Sequence, residues 1–319
     1  MKEKIIIIFG DPNSINTEII YKCWKKIPKN IKNKIYLISN IDLLKKQLKK
    51  LNYSIKLEAV KNIDENIREN KLKVIDIDLK FKNPFDVNKN ESSRFITKSL
   101  NLAHKYAIKN KVKGVINCSI NKNLLNKKKI GVTEYLAAKC KIYNRSEVML
   151  ISNNKLSVCP ITTHIDINQV SKHINKNLIV KKVSRINSWY KKRFNKRPKF
   201  AILGLNPHNA ELDKKSEEKK IIIPSLKKIK KLGISVKGPF SADTIFINDY
   251  KKYNVIIGMY HDQVLGPFKS IFKFNAINIT LGLKYPRVSP DHGTAKEIIG
   301  KNLANPLSLK KCIEYINKI

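Results

Sequence analysis

The chain has 319 residues, 42% of them hydrophobic, which is enough to bury a core in one large domain or two closely joined lobes. Lys and Arg number 65 against 25 Asp and Glu, but the lysines are scattered beside Asn and Ile without an Arg-rich stripe. We therefore attribute the formal charge of +40 to composition and expect no specific nucleic-acid partner. No apolar run approaches the roughly 20 residues that span a bilayer, so no membrane partner is expected.

The predicted elements alternate between strand and helix. Residues 4–9 contain a continuous apolar run, 5–9, that ends in a Gly-Asp-Pro turn, which indicates a first strand and not a signal peptide. The predicted strands are 4–9, 34–39, 112–117, 148–152, 155–161, 199–203, 255–259 and 276–281. The predicted helices are 16–27, 41–51, 91–109, 133–140, 165–177, 186–193, 217–232 and 308–319.

This alternation predicts an α/β fold with a largely parallel sheet. The turn residues Asn153-Asn154 predict an antiparallel hairpin within it, and Pro224 predicts a kink in its helix. Residues 52–90 give no clear pattern. Five widely spaced cysteines without a CxxC pair predict buried, reduced thiols and a cytoplasmic location.

Three of the six histidines each follow the end of a predicted strand. They are His164, His208 and His261. Ligands of open α/β sheets bind beyond the carboxyl ends of the strands, and neutral imidazole is a common ligand of divalent metals. Three such ligands leave coordination positions for a substrate. The pattern predicts a divalent-metal site, although each histidine alone also fits a hydrogen-bonded loop residue.

Two acids and three polar or cationic residues accompany the histidines. Asp243 or Asp262 could bind the metal, orient a ligand histidine or transfer a proton, and a helix cap or turn explains Asp243 equally well. Lys269, Asn278 and Arg287 suit a phosphate or carboxylate group.

The segment Asp291-His292-Gly293-Thr294-Ala295 places a glycine at a predicted helix start. Exposed N–H groups there could bind an anion or a nucleotide, and a simple helix cap is an equal alternative. No GxGxxG follows any strand, so a Rossmann dinucleotide site is not supported. Walker A, GxSxG and HExxH motifs are also absent from the sequence.

These stretches together resemble the 4-hydroxythreonine-4-phosphate dehydrogenase family of pyridoxal phosphate biosynthesis. The matching motifs are TTH (162–164), GLNPH (204–208), KGPFSADTIF (237–246), MYHDQ (259–263), NITLGL (278–283) and DHGTA (291–295). Their order is that of the family, and they cover the chain almost continuously from about residue 146. The N-terminal half matches more thinly, through residues 5–18 and 116–122.

The resemblance implies an isocitrate/isopropylmalate-dehydrogenase-like fold, with two α/β/α lobes around a cleft. It implies a cofactor-side lobe of residues 1–125 plus 290–319, and a metal, substrate and dimerisation lobe of residues 126–289. It further implies binding of NAD or NADP without the glycine fingerprint. The expected assembly is a homodimer whose active site lies in an interface cleft.

Site roles also follow from the resemblance. His164, His208 and His261, supplied by both subunits, would hold one zinc, magnesium or cobalt ion. Substrate contacts would come from Thr133, Lys269, Asn278 and Arg287. The adenine side of the cofactor would meet Asp291, His292, Gly293, Thr294 and Ala295. The candidates for catalysis are Asp243, Asp262 and Lys269.

The implied reaction is the NAD-dependent, metal-assisted oxidation of 4-phosphohydroxy-L-threonine. Its product, 2-amino-3-oxo-4-phosphooxybutanoate, would lose CO2 to give 3-amino-2-oxopropyl phosphate. One alternative is a related dehydrogenase of threonate or erythronate 4-phosphate. A non-enzyme alternative is a basic polyanion-binding protein on a retained fold.

The chain departs from the family pattern in four places. Val132 stands where the family has a histidine, and the loop 123–129 is about three residues shorter. Asn13-Ser14-Ile15-Asn16 replaces a Gly-rich turn, and Asn117-Cys118-Ser119 replaces Thr-Gly-Pro. Because glycine permits positive φ and close backbone approach, we expect these changes to affect substrate affinity and rate more than reaction type.

Overall fold

The computed structural model describes residues 3–65, 70–125, 131–142 and 147–319. The chain divides into a first unit, Met1–Cys140 with Leu283–Ile319, and a second unit, Lys141–Gly282. The lobes expected from the resemblance have their boundaries at 125/126 and 289/290, which would place Thr133 and Arg287 in the metal and substrate lobe. In the structure both residues lie in the first unit. The assignment of cofactor and substrate roles to the two lobes stays a prediction.

The elements alternate along the described residues as follows. The strands are β1 (Ile5–Ile8), β2 (Ile35–Ser39), β3 (Leu57–Val60), β4 (Leu72–Asp76), β5 (Gly114–Asn117), β6 (Val148–Ser152), β7 (Ser157–Pro160), β8 (Phe200–Leu203), β9 (Val236–Phe240), β10 (Val255–Gly258), β11 (Ile277–Leu281) and β12 (Arg287–Pro290). The α-helices are α1 (Asn16–Lys26), α2 (Lys29–Lys32), α3 (Ile41–Lys50), α4 (Lys89–Ile108), α5 (Val132–Lys139), α6 (Val170–His173), α7 (Lys176–Phe194), α8 (Ile223–Lys231), α9 (Ala242–Ile245), α10 (His261–Phe272) and α11 (Leu307–Lys318).

The sheet of the first unit is parallel throughout. Its strand order is β3-β4-β2-β1-β5-β12, and each neighbouring pair runs in the same direction. All four isoleucines of β1 are buried, as a strand covered on both faces requires. Because β1, β5 and β12 are neighbours, the loops that follow them emerge at the same edge of this sheet.

The second unit has a mixed sheet in the order β11-β6-β7-β10-β8-β9. Strand β6 is antiparallel to β11 and β7, which confirms the predicted hairpin, whereas β7, β10, β8 and β9 run parallel. One hydrophobic core combines apolar residues of these strands with Val264, Leu265 and Phe268 of α10. Helix α10 therefore lies fixed on the sheet, with its N-terminus just beyond β10.

The predicted helix 165–177 was wrong in its extent. A 3-10 turn and the short α6 occupy Ile167–His173, and Ile174 is extended. Helix α7 then begins at Lys176, where the Asn175 side chain accepts a hydrogen bond from the Leu178 N–H at 2.9 Å. An N-cap of this kind stabilises a helix start locally, so the break falls at Asn175.

Seven strands and α-helices of the described residues were missed by the sequence patterns: β3, β4, β9, β12, α2, α9 and α10. Helix α10 contains Gly266-Pro267, residues that normally argue against a helix interior. Burial of its apolar face in the core of the second unit offsets that unfavourable propensity. The predicted kink at Pro224 corresponds to a wide π-helical turn, Glu218–Ile222, that precedes α8.

No α-helix starts at the segment Asp291–Ala295, contrary to the expectation of a helix start. Ala295 has a left-handed backbone, with φ of 45°, and only a 3-10 turn over Lys296–Ile298 follows. An anion site made by a helix N-terminus is therefore not formed here. Any ligand of this loop would meet its backbone and side chains instead.

All five cysteines are buried and unpaired, as the sequence predicts. Burial raises the pKa of Cys23 to about 12 and that of Cys159 to about 11. The thiols of Cys23 and Cys159 therefore stay protonated at neutral pH and serve as core residues. Within the described ranges, none of the helices combines the length and the apolar character needed to cross a bilayer.

Gly10, at the turn after β1, provides a test of the fold. Its φ is +87°, and an added Cβ would overlap the backbone oxygen of Ser119. Gly10→Ala is expected to lower the free energy of unfolding by roughly 2–4 kcal/mol, because strain and overlap add. Denaturant titration measures this change.

Gly233→Ala is the matched control for Gly10→Ala. Gly233 also has positive φ, +70°, but an added Cβ there would meet no atom within 4 Å. Gly233→Ala should therefore lower the free energy of unfolding by only about 1 kcal/mol, the cost of the backbone preference for glycine. Equal losses in the two variants would show that the close approach of Ser119 does not constrain this turn.

Candidate functional site

The three predicted metal ligands follow three neighbouring parallel strands of the second unit. His164 lies after β7, His208 after β8 and His261 directly after β10, and the spatial order is β7-β10-β8. The carboxyl ends of parallel strands share one edge of a sheet, so the three histidine-bearing loops emerge on the same side.

Two of these histidines approach each other closely. The ring centroids of His164 and His261 are 5.9 Å apart, with the rings tilted by 39°. His261 Nδ1 lies 2.6 Å from Oδ1 of Asp262 and donates to it, which leaves Nε2 as the lone-pair nitrogen. A carboxylate that fixes the tautomer in this way is the usual outer partner of a metal-binding histidine, so these residues fit a divalent ion.

His208 stands in a different local environment. It is exposed, and residues His208–Glu211 all have left-handed backbones, with φ between 45° and 58°. Within the part of the chain that the structure describes, no three His, Cys, Asp or Glu side chains are grouped to hold a metal ion. One chain therefore brings two of the three predicted ligands together.

Arg287 is the centre of the predicted substrate contacts in the first unit. It is 3% exposed, its Nε donates to Asn117 Oδ1 at 2.7 Å, and its Nη1 donates to Thr133 Oγ1 at 3.1 Å. Burial lowers the pKa of Arg287 to about 10, an effect that nearby Tyr285 and Glu134 oppose. The guanidinium stays charged at neutral pH, and the predicted pair Thr133 and Arg287 is brought together.

The other predicted site residues of the second unit lie on separate elements. Lys269 is exposed on α10, and Asp243 is exposed in the first turn of α9, just beyond β9. Asn278 lies on β11, where its Oδ1 is buried without a hydrogen-bond partner among the described residues. An unsatisfied buried amide oxygen of this kind fits a residue whose partner is a ligand.

The loops after β1, β5 and β12 meet at the edge of the first unit. The Asp11 N–H donates to the Ser119 oxygen at 2.9 Å, and the Ile15 N–H donates to the Thr294 oxygen at 3.2 Å. The segment Asp291–Ala295 therefore lies against the N-terminal turn. Gly293 has no atom within 4 Å of the position of an added Cβ, so a nucleotide has open space to approach this backbone.

Asp11 in this edge was missed by the sequence analysis. It is fully buried, and burial raises the pKa of its carboxyl, an effect that the Asn13 N–H and the Lys296 charge oppose. The Gly-Asp-Pro sequence directly after the first strand was the available signal. Asn117, which accepts from Arg287, was likewise named only as a family departure.

Two of the family departures contact each other. The Asn16 amide donates to the Ser119 backbone oxygen at 2.9 Å, and the Ser119 hydroxyl donates to Asn16 Oδ1 at 2.7 Å. The polar residues that replace the Gly-rich turn and the Thr-Gly-Pro segment thus satisfy one another. Val132 begins α5, half-buried beside Thr133, and much of the shortened loop 123–129 falls outside the described residues.

Two further buried residues, missed by the sequence analysis, hold the histidine-bearing loops. They are Glu218 and Gln263. Burial raises the pKa of the Glu218 carboxyl, but hydrogen bonds from Asn206 and Leu205 outweigh it and leave the pKa below its ordinary value. Glu218 therefore stays ionised at neutral pH inside the protein.

The chain is similar to a set of named proteins over nearly its whole length. It is 36% identical to the 4-hydroxythreonine-4-phosphate dehydrogenase of Sulfurihydrogenibium sp. over 98% of this chain and 96% of that protein. It is 35% identical to that of Aquifex aeolicus over 100% of this chain and 99% of the relative.

A solved structure shows that the fold is also similar. The crystal structure of 4-hydroxythreonine-4-phosphate dehydrogenase from Klebsiella pneumoniae matches with a TM-score of 0.82 at 26% identity, covering 99% of this chain and 100% of that chain. The predicted α/β fold is thereby confirmed, and it is the fold of this dehydrogenase structure. The model of the family described as "Pyridoxal phosphate biosynthetic protein PdxA" matches residues 31–316. The chain belongs to this PdxA family.

Proposed function

We propose that this protein is an NAD- or NADP-dependent oxidoreductase that converts 4-phosphohydroxy-L-threonine to 2-amino-3-oxo-4-phosphooxybutanoate in pyridoxine phosphate biosynthesis. The proposal also includes a cytoplasmic location. The observation that carries the activity is the approach of His164 and His261 at the strand ends of a PdxA-family chain. Relatives that carry the dehydrogenase name match the chain from end to end.

The oxidation requires a hydride acceptor and a polarising group. A divalent ion at His164, His208 and His261 would supply Lewis-acid polarisation of substrate oxygens, and the nicotinamide would accept the hydride. The reaction removes a hydride from C3 and a proton from its hydroxyl group. The resulting β-keto acid then loses CO2 to give 3-amino-2-oxopropyl phosphate.

The chain's own residues bind and orient the substrate in this proposal. Arg287 and Lys269 provide positive charge for the phosphate, while Thr133 and Asn278 offer polar contacts. The carboxylate of Asp262 fixes the orientation of His261. Asp243 remains the candidate to accept the hydroxyl proton, because a charged Lys269 that binds the phosphate has no lone pair to accept it.

A homodimer would complete the ligand set. One chain groups His164 with His261, while His208 is exposed on a left-handed turn. We propose that His208 of a second copy supplies the third ligand. The segment Asp291–Ala295 would contact the adenine side of the cofactor, for which the open space at Gly293 is suitable.

The test of the proposed function is reduction of NAD or NADP by purified protein loaded with Zn²⁺, Mg²⁺ or Co²⁺. 4-Phosphohydroxy-L-threonine is expected to be the preferred substrate, and 3-amino-2-oxopropyl phosphate the product. Threonate and erythronate 4-phosphate are the controls, because they carry a hydroxyl group at C2 in place of the amino group. Efficient turnover of these sugar acids alone would contradict the proposal.

Val132→His tests the lost family histidine. Val132 precedes Thr133, whose hydroxyl accepts from Arg287, so a histidine there could add a hydrogen bond to the substrate. Such a contact is worth about 1.4 kcal/mol, and we expect kcat/KM to rise roughly tenfold. Paired steady-state kinetics of parent and variant measure the change.

The outcome of Val132→His also separates the two candidate substrates. Val132 is an apolar residue beside the hydrogen-bonded pair Thr133 and Arg287. This observation favours the second candidate function, a dehydrogenase of threonate or erythronate 4-phosphate. If the histidine impairs an already efficient parent, the pocket is built for another substrate. Improvement with 4-phosphohydroxy-L-threonine supports the amino-acid substrate.

A further inference from the structure

The loops that carry His261 and His208 are joined by one buried side chain, Gln263. It is 8% exposed and lies in the first turn of α10. Its Oε1 accepts from the Met259 N–H at 2.7 Å, and its Nε2 donates to the Gly204 oxygen at 2.7 Å. Gln263 therefore ties the end of β10 to the end of β8, the two strands from which these histidines follow.

A second buried side chain, Glu218, holds the next two residues of the same loop, between Gly204 and His208. Its Oε1 accepts from the N–H groups of Leu205 and Asn206 at 2.7 and 2.9 Å, and its Oε2 accepts from Asn206 Nδ2 at 3.0 Å. Glu218 is 0% exposed and begins the π-helical turn Glu218–Ile222. An added Cβ on Gly204 would lie 3.0 Å from Oε1, so glycine leaves room for the carboxylate.

The third histidine loop joins the same network through Met259. The Thr162 hydroxyl and N–H both donate to the Met259 oxygen, at 2.7 and 3.0 Å. Met259 thus contacts Thr162 through its carbonyl and Gln263 through its N–H. Thr162 lies two residues before His164, and Met259 and Gln263 each lie two residues from His261.

We propose that Glu218 and Gln263 are positioning residues, which set the places of His208 and His261 for the metal ion through this buried network without touching the ion or the substrate. The inference rests on the proposed function, since it concerns the same metal site. A carboxylate suits position 218 because both of its oxygens face donors. Partners behind metal ligands commonly change metal affinity by 10–100-fold when they are replaced.

Glu218→Gln is the variant that separates positioning from mere packing. The glutamine retains its volume and one oxygen for the two backbone N–H groups. Its NH₂ group would face the Asn206 NH₂ group, donor against donor. Asn206 cannot simply rotate its amide, because Nδ2 also donates to Glu217 Oε2 at 2.9 Å.

Glu217→Gln is the matched control. It removes the same charge from the neighbouring residue, which is only half-buried. Its oxygen can still accept from Asn206, so the network is kept. Any effect of net charge alone would appear equally in both variants.

The experiment measures Co²⁺ affinity by competition with a chromophoric chelator, together with the visible d–d spectrum and the thermal midpoint. Glu218→Gln is expected to weaken Co²⁺ binding about 10–100-fold and to change the spectrum, while Glu217→Gln matches the parent. Asn206→Asp combined with both Glu217→Gln and Glu218→Gln exchanges donor and acceptor at both contacts of the Asn206 amide, and it should restore most of the affinity. Parent-like Co²⁺ affinity and spectrum in Glu218→Gln would overturn the proposal.

Gln263→Met is a second, independent test, should Glu218→Gln fail to fold. It retains the shape of the side chain and removes both hydrogen bonds, so the same loss of Co²⁺ affinity is expected. A folded Gln263→Met that binds Co²⁺ like the parent would overturn the proposal. Lack of turnover in a parent that binds Co²⁺ would instead contradict the proposed function, because the positioning test does not depend on substrate.

Discussion

His261→Ala and His164→Ala are each expected to abolish turnover and to weaken Co²⁺ binding by more than about 100-fold, while the fold is retained. This loss of metal affinity is larger than the 10–100-fold loss expected when a residue that supports a metal ligand is replaced, because His164 and His261 are the proposed ligands themselves. His164 lies on the loop after β7 and His261 is the first residue of α10, so both lie outside the sheet core and their removal leaves it intact. Metal titration and circular dichroism of the variants check the two halves of this prediction.

Mixing of inactive variants tests which histidines belong to which subunit. If His208 completes the site of its partner, a mixed dimer of His208→Ala and His261→Ala has one intact site. Random exchange of subunits should then restore about one quarter of the parent activity. The matched pair His164→Ala with His261→Ala should restore none, because both residues serve the site of their own chain. Failure of the first mixture, with exchange verified, would contradict the shared site.

Arg287→Ala is expected to raise KM and to lower kcat/KM, with a loss of transition-state stabilisation of roughly 2–4 kcal/mol. The reason is that the substrate phosphate loses its buried charged partner. Asn117 Oδ1 loses its donor as well, so stability should fall by about 1–3 kcal/mol. Arg287→Lys retains the charge but not the planar fork that reaches both Asn117 and Thr133. It should therefore fall between the parent and the alanine variant in kcat/KM.

Arg94→Ala provides the control for Arg287. Arg94 lies in the same unit, half-buried, in ion pairs with Asp78 and Glu91. Its removal should leave kcat/KM unchanged. If Arg287→Ala retains parent kinetics toward the phosphorylated substrate, or merely matches Arg94→Ala, the phosphate site lies elsewhere.

Much of the fold could be predicted from the sequence because its signals are local. The continuous apolar run Ile5–Ile8 is typical of a strand covered on both faces, and β1 is buried throughout. Asn153-Asn154 predicted the hairpin of β6 and β7, and Gly233 predicted the end of α8, where its φ is +70°. Each of these features depends on the conformational preference of a few neighbouring residues.

Other elements depend on distant partners, so sequence patterns could not predict them. Helix α10 forms around Pro267 because Val264 and Phe268 are buried in the core of the second unit. Strand β9 carries an exposed Lys-Gly pair at 237–238 and is a strand because β8 lies beside it. Tertiary packing overrides local propensity in both cases.

The candidate site divides in the same way. The sequence by itself determined the family motifs and placed His164, His208 and His261 at strand ends. Only the tertiary structure decided that β7, β10 and β8 are neighbours and that His164 and His261 meet while His208 stands apart on a left-handed turn. It alone showed the buried partners Asn117, Glu218 and Gln263. Hydrogen bonds between residues far apart in the chain leave no periodic pattern, and therefore only the folded chain can show them.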